Sequence, residues 1–239
     1  MPRLSRKDIE RISERVYAAY RKSPELSGEK IYSVDPMLML KLLRLKLDHC
    51  YLSKDCTILG MTSFSEVSVG VWDNNSEELY YFLDGNTVLV DSRLQEDASQ
   101  YGRYHFTIMH EAGHQILGML FPGDYKQHAA RVHYCKEYQF ERPIMDWEEW
   151  QANTLAASLL MPRDLVEQGM FLLGLGDALP ILNRKYRFKD YDRFVCLSQL
   201  LGVSKKALAI RMKHLGLLHD DQLQNPDIMI EVLKDRQEV

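Results

Sequence analysis

Two histidines and a glutamate near the middle of the chain have the types and spacing of a metal-dependent hydrolytic site. Residues 110–114 read His-Glu-Ala-Gly-His. On a helix, His110 and His114 project from the same face one turn apart, where two imidazoles can share one tetrahedral ion. A zinc ion there would polarise a carbonyl, and Glu111 could take a proton from water and pass it to a leaving amine. The pattern predicts peptide hydrolysis with Glu111 as general base.

A catalytic zinc site also needs a third protein ligand and a vacant fourth position. Glu148 and Glu149 open a downstream segment rich in small residues, which would let two helices approach closely. Glu149 and Asn153 are four positions apart, so a ligating carboxylate and a hydrogen-bonding amide would share one helix face. This spacing favours Glu149 as the third ligand and Asn153 as the partner that orients a ligand histidine. Glu148 remains the competing assignment.

Two more histidines lie in a loop-like segment, residues 121–144, between these motifs. His128 and His133 could also bind metal, but lone loop histidines are more often surface groups or contacts to a transition state. The sequence does not identify the group that stabilises an oxyanion. Candidates in the loop are Tyr125, His128, His133 and Tyr134.

Helix start signals mark the N-terminal elements that support this site. Ser5 and Asp8 have the spacing of a capping box, and the apolar residues that follow recur with the period of a helix. Asp35 before Pro36 predicts a second helix over about residues 36–47.

The next segment changes to the two-residue period of strands. Residues 67–71 alternate apolar and polar or small side chains, and residues 79–83 form another strand-like run. Asp-Gly-Asn at residues 84–86 predicts a tight hairpin turn into a strand over residues 87–90. We therefore expect a small antiparallel or mixed sheet over residues 57–91. The 67–71 strand could offer its edge to an extended substrate.

Helical patterns return around the two metal-binding motifs and again near the C-terminus. One helix is predicted near Tyr101 and another over Trp147–Leu160. Residues 197–215 have the pattern of helix, turn and helix, because Gly202 suits a left-handed helix end and Ser204 a helix cap. The basic residues of the last helix are predicted to face outward: Lys205, Lys206, Arg211 and Lys213.

Composition and charge restrict the class of protein. The chain has a net charge of −4, contains four cysteines without a Cys-x-x-Cys pair, and lacks both a secretory signal and a long apolar run. We therefore expect a cytoplasmic protein with reduced thiols and no membrane partner. Residues 184–213 hold nine Lys or Arg residues and two Asp residues. Such a block fits either a DNA-binding surface or an ordinary solvated face, and the second is favoured.

Two separated motifs also resemble a known family. They are Phe-Thr at residues 106–107 before His-Glu-Ala-Gly-His, and Glu149-x-x-x-Asn153 leading into Leu-Leu-Met-Pro at residues 159–162. Together they resemble the ImmA/IrrE family of zinc metallopeptidases, with weaker similarity over two strand-like runs.

The resemblance implies an α+β protein with two parts. Residues 1–165 would form a zincin-like metallopeptidase domain, with a small sheet packed on helices, and residues 166–239 a helical, helix-turn-helix-like module. It implies a gluzincin-like endopeptidase with one Zn²⁺ per chain, held by His110, His114 and Glu149. The expected substrate is a regulatory protein, commonly a helix-turn-helix repressor. The alternative is a DNA-binding or partner-binding transcriptional regulator whose metal site is structural or vestigial.

Overall fold

Residue contacts divide the chain into two units, Met1–Pro162 and Arg163–Val239. The computed structural model describes residues 2–73, 77–125, 132–136 and 146–227. They form a mixed α+β protein in which small sheets pack against helices. Within these ranges, no helix combines the length and the apolar character that crossing a bilayer requires.

The first two helices begin where the cap signals predicted. The Ser5 side chain accepts a hydrogen bond from the Asp8 backbone, and Asp8 accepts one from the Ser5 backbone, so α1 (Arg6–Arg21) starts at a capping box. Helix α2 (Pro36–Leu43) is shorter than predicted. Arg44 adopts a left-handed conformation with φ 58° and ends the helix. The apolar positions after it fit a strand as well as a helix, and they enter the sheet.

A four-stranded sheet forms the centre of the first unit. Its strands lie in the order β1 (Lys46–Cys50), β5 (Thr87–Asp91), β2 (Ile58–Ser63) and β6 (Val132–Lys136). β5 runs parallel to β1 and antiparallel to β2, and β2 runs antiparallel to β6. Every residue of β5 is buried, as expected for an inner strand covered on both faces.

The remaining strands of this unit form a separate hairpin, β3 (Glu66–Trp72) and β4 (Glu78–Asp84). The predicted hairpin between residues 79–83 and 87–90 is wrong, because β4 and β5 belong to different sheets. Gly85, with φ 81°, does turn the chain here. The turn residues indicated the change of direction, but β5 pairs with β1 and β2, where its apolar centre, Val88–Val90, is fully buried. The 67–71 strand therefore lies outside the central sheet.

Four helices complete the first unit: α3 (Ser92–Glu96), α4 (Tyr101–Leu120), α5 (Pro122–Tyr125) and α6 (Trp147–Leu160). α4 packs on β2, β5 and β6, and α6 packs on α4 and α1. Gln115 fixes α4 against β2, since its amide nitrogen lies 2.7 Å from both Thr62 Oγ1 and the Ser63 carbonyl oxygen. The segment 121–144, predicted as a loop, thus contributes α5 and strand β6.

The described part of the second unit, residues 163–227, forms three longer helices and a small parallel sheet. Its elements are α7 (Arg163–Leu172), β7 (Leu179–Leu182), α8 (Phe188–Leu200), α9 (Lys205–Leu215) and β8 (Leu218–Asp221), and β7 pairs with β8. The predicted turn is confirmed: Gly202 has φ 66°, and Ser204 accepts a hydrogen bond from the Ala207 backbone at 3.1 Å.

One surface prediction in this unit is wrong. Arg211 is only 3% exposed, because it lies on the helix face that carries Leu208 and Met212. A long arginine side chain can pack its methylene stem within an apolar face, which periodicity alone does not reveal. Asn225 before Pro226 is a helix-start signal in the sequence, but the helix that it predicts would lie beyond Asp227, outside the described residues.

Candidate metal centre

The site lies where α4 and α6 approach each other closely. Gly113, between the two histidines, faces Ala152, and a Cβ atom at Gly113 would lie only 3.2 Å from the Ala152 carbonyl oxygen. Ala152 and Ala156 are fully buried. Small side chains on both helices therefore bring the histidine-bearing and glutamate-bearing backbones together, as the sequence predicted.

The two imidazoles and the Glu149 carboxylate, called the ligand triangle below, converge in this contact, and each imidazole faces a different carboxylate oxygen. His110 Nε2 and His114 Nε2 are 3.2 Å apart. Each lies 3.3 Å from a carboxylate oxygen of Glu149. The three residues form a group that could hold a metal ion. The structure brings together the three predicted ligands, and Glu148 belongs to neither metal-capable group found among the described residues.

Asn153 contacts the first histidine from the other side. His110 Nδ1 lies 3.0 Å from Asn153 Oδ1. Because an amide oxygen only accepts hydrogen bonds, this contact assigns the ring proton to Nδ1 and leaves the lone pair of Nε2 facing the triangle. The predicted partner of a ligand histidine is therefore placed where it can orient His110.

The electrostatics of the triangle suit a cation. Burial lowers the pKa of His114, which favours its neutral form. Burial alone would raise the pKa of Glu149, but the two imidazoles outweigh it and hold that pKa below its ordinary value. Neutral histidines and an ionised carboxylate are the protonation states that metal ligation requires. Glu149 keeps 20% of its side chain exposed, so the triangle reaches solvent on that side.

Glu111 lies next to the triangle in a closed environment. It is fully buried, and its Oε1 accepts a hydrogen bond from the Cys135 backbone at 3.1 Å. Its Oε2 atom has no hydrogen-bond partner within the described parts of the chain. Burial, and then the nearby charge of Glu149, raise the pKa of Glu111 well above its ordinary value. A second carboxylate this close is stable only when a proton or a cation accompanies it.

Gly60 on β2 makes room for this carboxylate. A Cβ atom there would lie 2.7 Å from Thr107 Cγ2 and 2.9 Å from Glu111 Oε1. The absence of a side chain at residue 60 thus determines where the Glu111 carboxylate can lie. The sequence analysis did not identify Gly60, although a glycine inside an apolar strand is a signal of close approach.

Cys135 forms a second group with His110 and Glu111 that could hold a metal ion. Burial, followed by the charge of Glu111, raises the pKa of the Cys135 thiol well above its ordinary value. Metal binding by cysteine requires the thiolate, which this environment disfavours. The group with His114 and Glu149 is therefore the better cation site.

Strand β6 covers the site with alternate side chains. His133 and Cys135 face the helix α4, whereas Tyr134 packs against the hydrophobic core. The His133 ring lies 4.3 Å from the His114 ring, centroid to centroid. The alternation of Val132, His133, Tyr134 and Cys135 was a signal for this strand that the loop prediction missed. Among the other loop candidates, His128 and the side chain of Tyr125 lie outside the described residues.

Neither a protein-family model nor a curated protein sequence matches this chain.

Proposed function

We propose that the chain is a zinc-dependent endopeptidase with a zincin-like catalytic domain. The observation that supports it most strongly is the ligand triangle, in which His110 Nε2 and His114 Nε2 are 3.2 Å apart and lie 3.3 Å from Glu149 Oε2 and Oε1, respectively. Ligand atoms at about 2.0–2.1 Å from a tetrahedral zinc ion lie about 3.3 Å from one another. The donor set fits zinc.

The kind of zinc site follows from the number of ligands. Two histidines and one glutamate leave a fourth position of a tetrahedral ion for water or substrate, which is the pattern of catalytic rather than structural zinc. A carboxylate oxygen of Glu111 lies within 4.8 Å of a ring nitrogen of His110, and its Oε2 atom has no hydrogen-bond partner within the described residues. This arrangement favours hydrolysis over a purely structural role.

Each residue then has a defined task. Zinc bound to the triangle would lower the pKa of a water molecule and polarise the scissile carbonyl. The Glu111 carboxylate would then accept a proton from an attacking water and deliver it to the leaving amine. The Cys135 backbone N–H holds Glu111 Oε1 in place during both transfers, and Asn153 keeps the Nε2 lone pair of His110 directed at the ion.

The central sheet suggests how a peptide would approach. Among the described residues, β6 is the outermost strand on its side of the sheet and lies against α4, so an extended chain pairing with β6 would pass close to the triangle. Backbone pairing binds an extended segment without fixing its sequence. This edge replaces the 67–71 strand as the proposed docking edge.

A regulatory protein, such as a helix-turn-helix repressor, is the substrate that the family resemblance favours. The two motifs that resemble the ImmA/IrrE metallopeptidases, His110–His114 and Glu149–Asn153, are the motifs that α4 and α6 bring together. A cytoplasmic location fits such a substrate.

The experiment compares the zinc-loaded protein with its Glu111→Gln variant on a fluorescein-labelled casein and on a purified repressor encoded beside its gene. We expect the variant to retain one zinc ion and to lose about 10²–10⁴-fold in cleavage rate, the usual contribution of a positioned acid–base group. Glu148→Gln is the matched control and should keep both properties. Cleavage by Glu111→Gln at the wild-type rate would reject Glu111 as the general base, and a zinc-loaded wild type inactive on both substrates would reject the peptidase.

The alternative, a regulator that binds DNA or a protein partner, has weaker support. Helices α8 and α9 have the order of a helix-turn-helix, and Lys205 and Lys206 are exposed. However, Arg211 is buried, and Lys213 contacts Asp221 at 2.6 Å. Salt-sensitive DNA binding that is lost in a Lys205→Ala, Lys206→Ala variant would favour this alternative.

A further inference from the structure

The two histidines of the triangle are held by different means. His110 has a hydrogen bond from Nδ1 to Asn153, which fixes both the ring plane and the tautomer. His114 Nδ1 has no hydrogen-bond partner within the described residues, although the side chain is fully buried. Metal-binding histidines are normally oriented by a hydrogen bond from the second ring nitrogen. Among the described residues, the ring of His114 is therefore held by contacts other than a hydrogen bond at Nδ1.

The His133 ring lies directly against the His114 ring. Their centroids are 4.3 Å apart and the ring planes are inclined by 31°. This separation is slightly shorter than is usual for aromatic pairs, so the two rings are in close contact. His133 is 4% exposed and lies on β6, whose pairing with β2 fixes its backbone position opposite Thr62. A ring held on a paired strand limits the tilt of the ring beside it.

A third ring supports His133 from behind. Phe64 meets His133 edge to face, with centroids 5.1 Å apart and planes inclined by 68°. The Phe64 ring in turn lies on α4 at Gly118, where an added Cβ atom would come within 2.3 Å of Phe64 Cε1. Gly118 is four residues after His114 and so lies on the same helix face. The stack therefore begins and ends on the helix that carries the ligand.

We propose that His133 is a positioning residue, which fixes the ring plane of His114 by stacking as Asn153 fixes that of His110 by a hydrogen bond. This inference rests on the proposed zinc site. It requires the aromatic ring of residue 133 and neither its charge nor its hydrogen-bonding nitrogens. Phe64 packs against His133, and Gly118 leaves the space that the Phe64 ring occupies, so both residues support the same stack.

The test uses the full chain with Zn²⁺ or Co²⁺ alone, so that no substrate is needed. Zinc affinity is measured by competition with a chromophoric chelator for wild type, His133→Phe and His133→Leu. Phenylalanine keeps the ring, whereas leucine fills similar space without one. We expect His133→Phe to keep the wild-type affinity, and His133→Leu to bind zinc about 10–100-fold more weakly, the usual effect of removing a group that orients a ligand.

The cobalt spectrum separates orientation from stability. The visible absorption bands of the Co²⁺-loaded protein depend on ligand geometry, so His133→Leu should shift them and His133→Phe should not. Thermal unfolding of the metal-free variants controls for folding. Gly118→Ala tests the same stack without touching residue 133, because its Cβ displaces Phe64, and it should weaken zinc binding in the same direction. Gly123→Ala, where a Cβ meets nothing within 4 Å, is the matched control.

Two results would overturn the positioning role. If His133→Leu binds zinc as tightly as wild type and has the same cobalt spectrum, the ring has no role beyond filling space. If His133→Phe is as weak as His133→Leu, the nitrogens matter and stacking does not. Both results leave the zinc site and the peptidase proposal intact, whereas a wild type that binds no zinc rejects the site and this inference together. A zinc-binding wild type that cleaves nothing rejects only the peptidase.

Discussion

The helix pair α4 and α6 and the helix pair α8 and α9 were both identified from residue patterns. They differ in whether the side chains of the pattern meet in the structure. In the first pair, three side chains from two distant segments meet within 3.3 Å. In the second, basic side chains are used locally: Lys213 contacts Asp221, and Arg193 donates to the Gly174 carbonyl oxygen. A ligand pattern demands that atoms meet at one point, whereas a charge pattern demands no particular geometry.

The metal-ligand pattern is therefore stronger evidence of a functional site than the pattern of basic charges. Random surface charges form local ion pairs readily, and such exposed pairs contribute little to stability. Two buried imidazoles and a carboxylate rarely converge without a cation, because the uncompensated groups would be costly to bury. Convergence of Glu149 with the histidines is therefore the informative result.

The largest effect should come from removing the third ligand. Glu149→Gln replaces an ionised carboxylate whose two oxygens each contact one imidazole, so we expect near-complete loss of bound zinc after dialysis, measured by elemental analysis. The neighbouring Glu148→Gln is the control and should retain one zinc ion per chain. Equal zinc content in the two variants would mean that Glu149 is not a ligand. The convergence of side chains between α4 and α6 would then be no better evidence of a site than the charges of α8 and α9.

A smaller effect should follow from adding one methyl group at Gly60. The new Cβ would overlap Thr107 Cγ2 and Glu111 Oε1, at 2.7 and 2.9 Å, and would displace the carboxylate. Displacement of a catalytic group by about 1 Å costs on the order of 10²-fold in rate, so cleavage should fall by about that factor while zinc is retained. Gly123→Ala is the control, and parallel loss of zinc and activity would argue against a separate role for Glu111.

Asn153→Ala should weaken zinc binding by about tenfold, the lower end of the range for groups that orient a ligand, because Asn153 is solvent-exposed. Chelator competition measures the change, and Asn153→Asp, which keeps an acceptor oxygen, should restore the affinity. Unchanged affinity in Asn153→Ala would mean that the hydrogen bond to His110 Nδ1 does not contribute.

The smallest effect is expected in the second unit. Replacing Lys205 and Lys206 with alanine should leave zinc binding and cleavage unchanged. On DNA, each lost phosphate contact would reduce the slope of log K against log salt by about 0.9, and we expect no measurable change. A reduced slope with unaltered zinc binding would show that α9 is a DNA-binding surface after all.

The sequence predicted the residues of the metal site more accurately than it predicted the pairing of the strands. His110, His114 and Glu149 lie on two helices whose period places them on defined faces, and Gly113 and Ala152 explain how the helices meet. Strand pairing has no such local rule. The Asp-Gly-Asn turn before Thr87 predicted a hairpin, but β5 pairs with β1 and β2, where its apolar centre, Val88–Val90, is fully buried.

What sequence reasoning missed at the site lies on strands. Gly60 and Cys135 are paired across β2 and β6, and both contact Glu111. Their roles depend on sheet register, which relates residues 75 positions apart along the chain. His133 was assigned to a loop because the five-residue strand that carries it is short and flanked by polar residues.

The most direct test of the central claim is X-ray absorption at the zinc edge of the zinc-loaded protein, together with the zinc content per chain. The account predicts one zinc ion with only nitrogen and oxygen neighbours at about 2.0–2.1 Å, including the outer-shell scattering of two imidazoles. A sulfur neighbour at about 2.3 Å would place the ion at Cys135 instead. Either that sulfur or a chain that retains no zinc would contradict a site built from His110, His114 and Glu149.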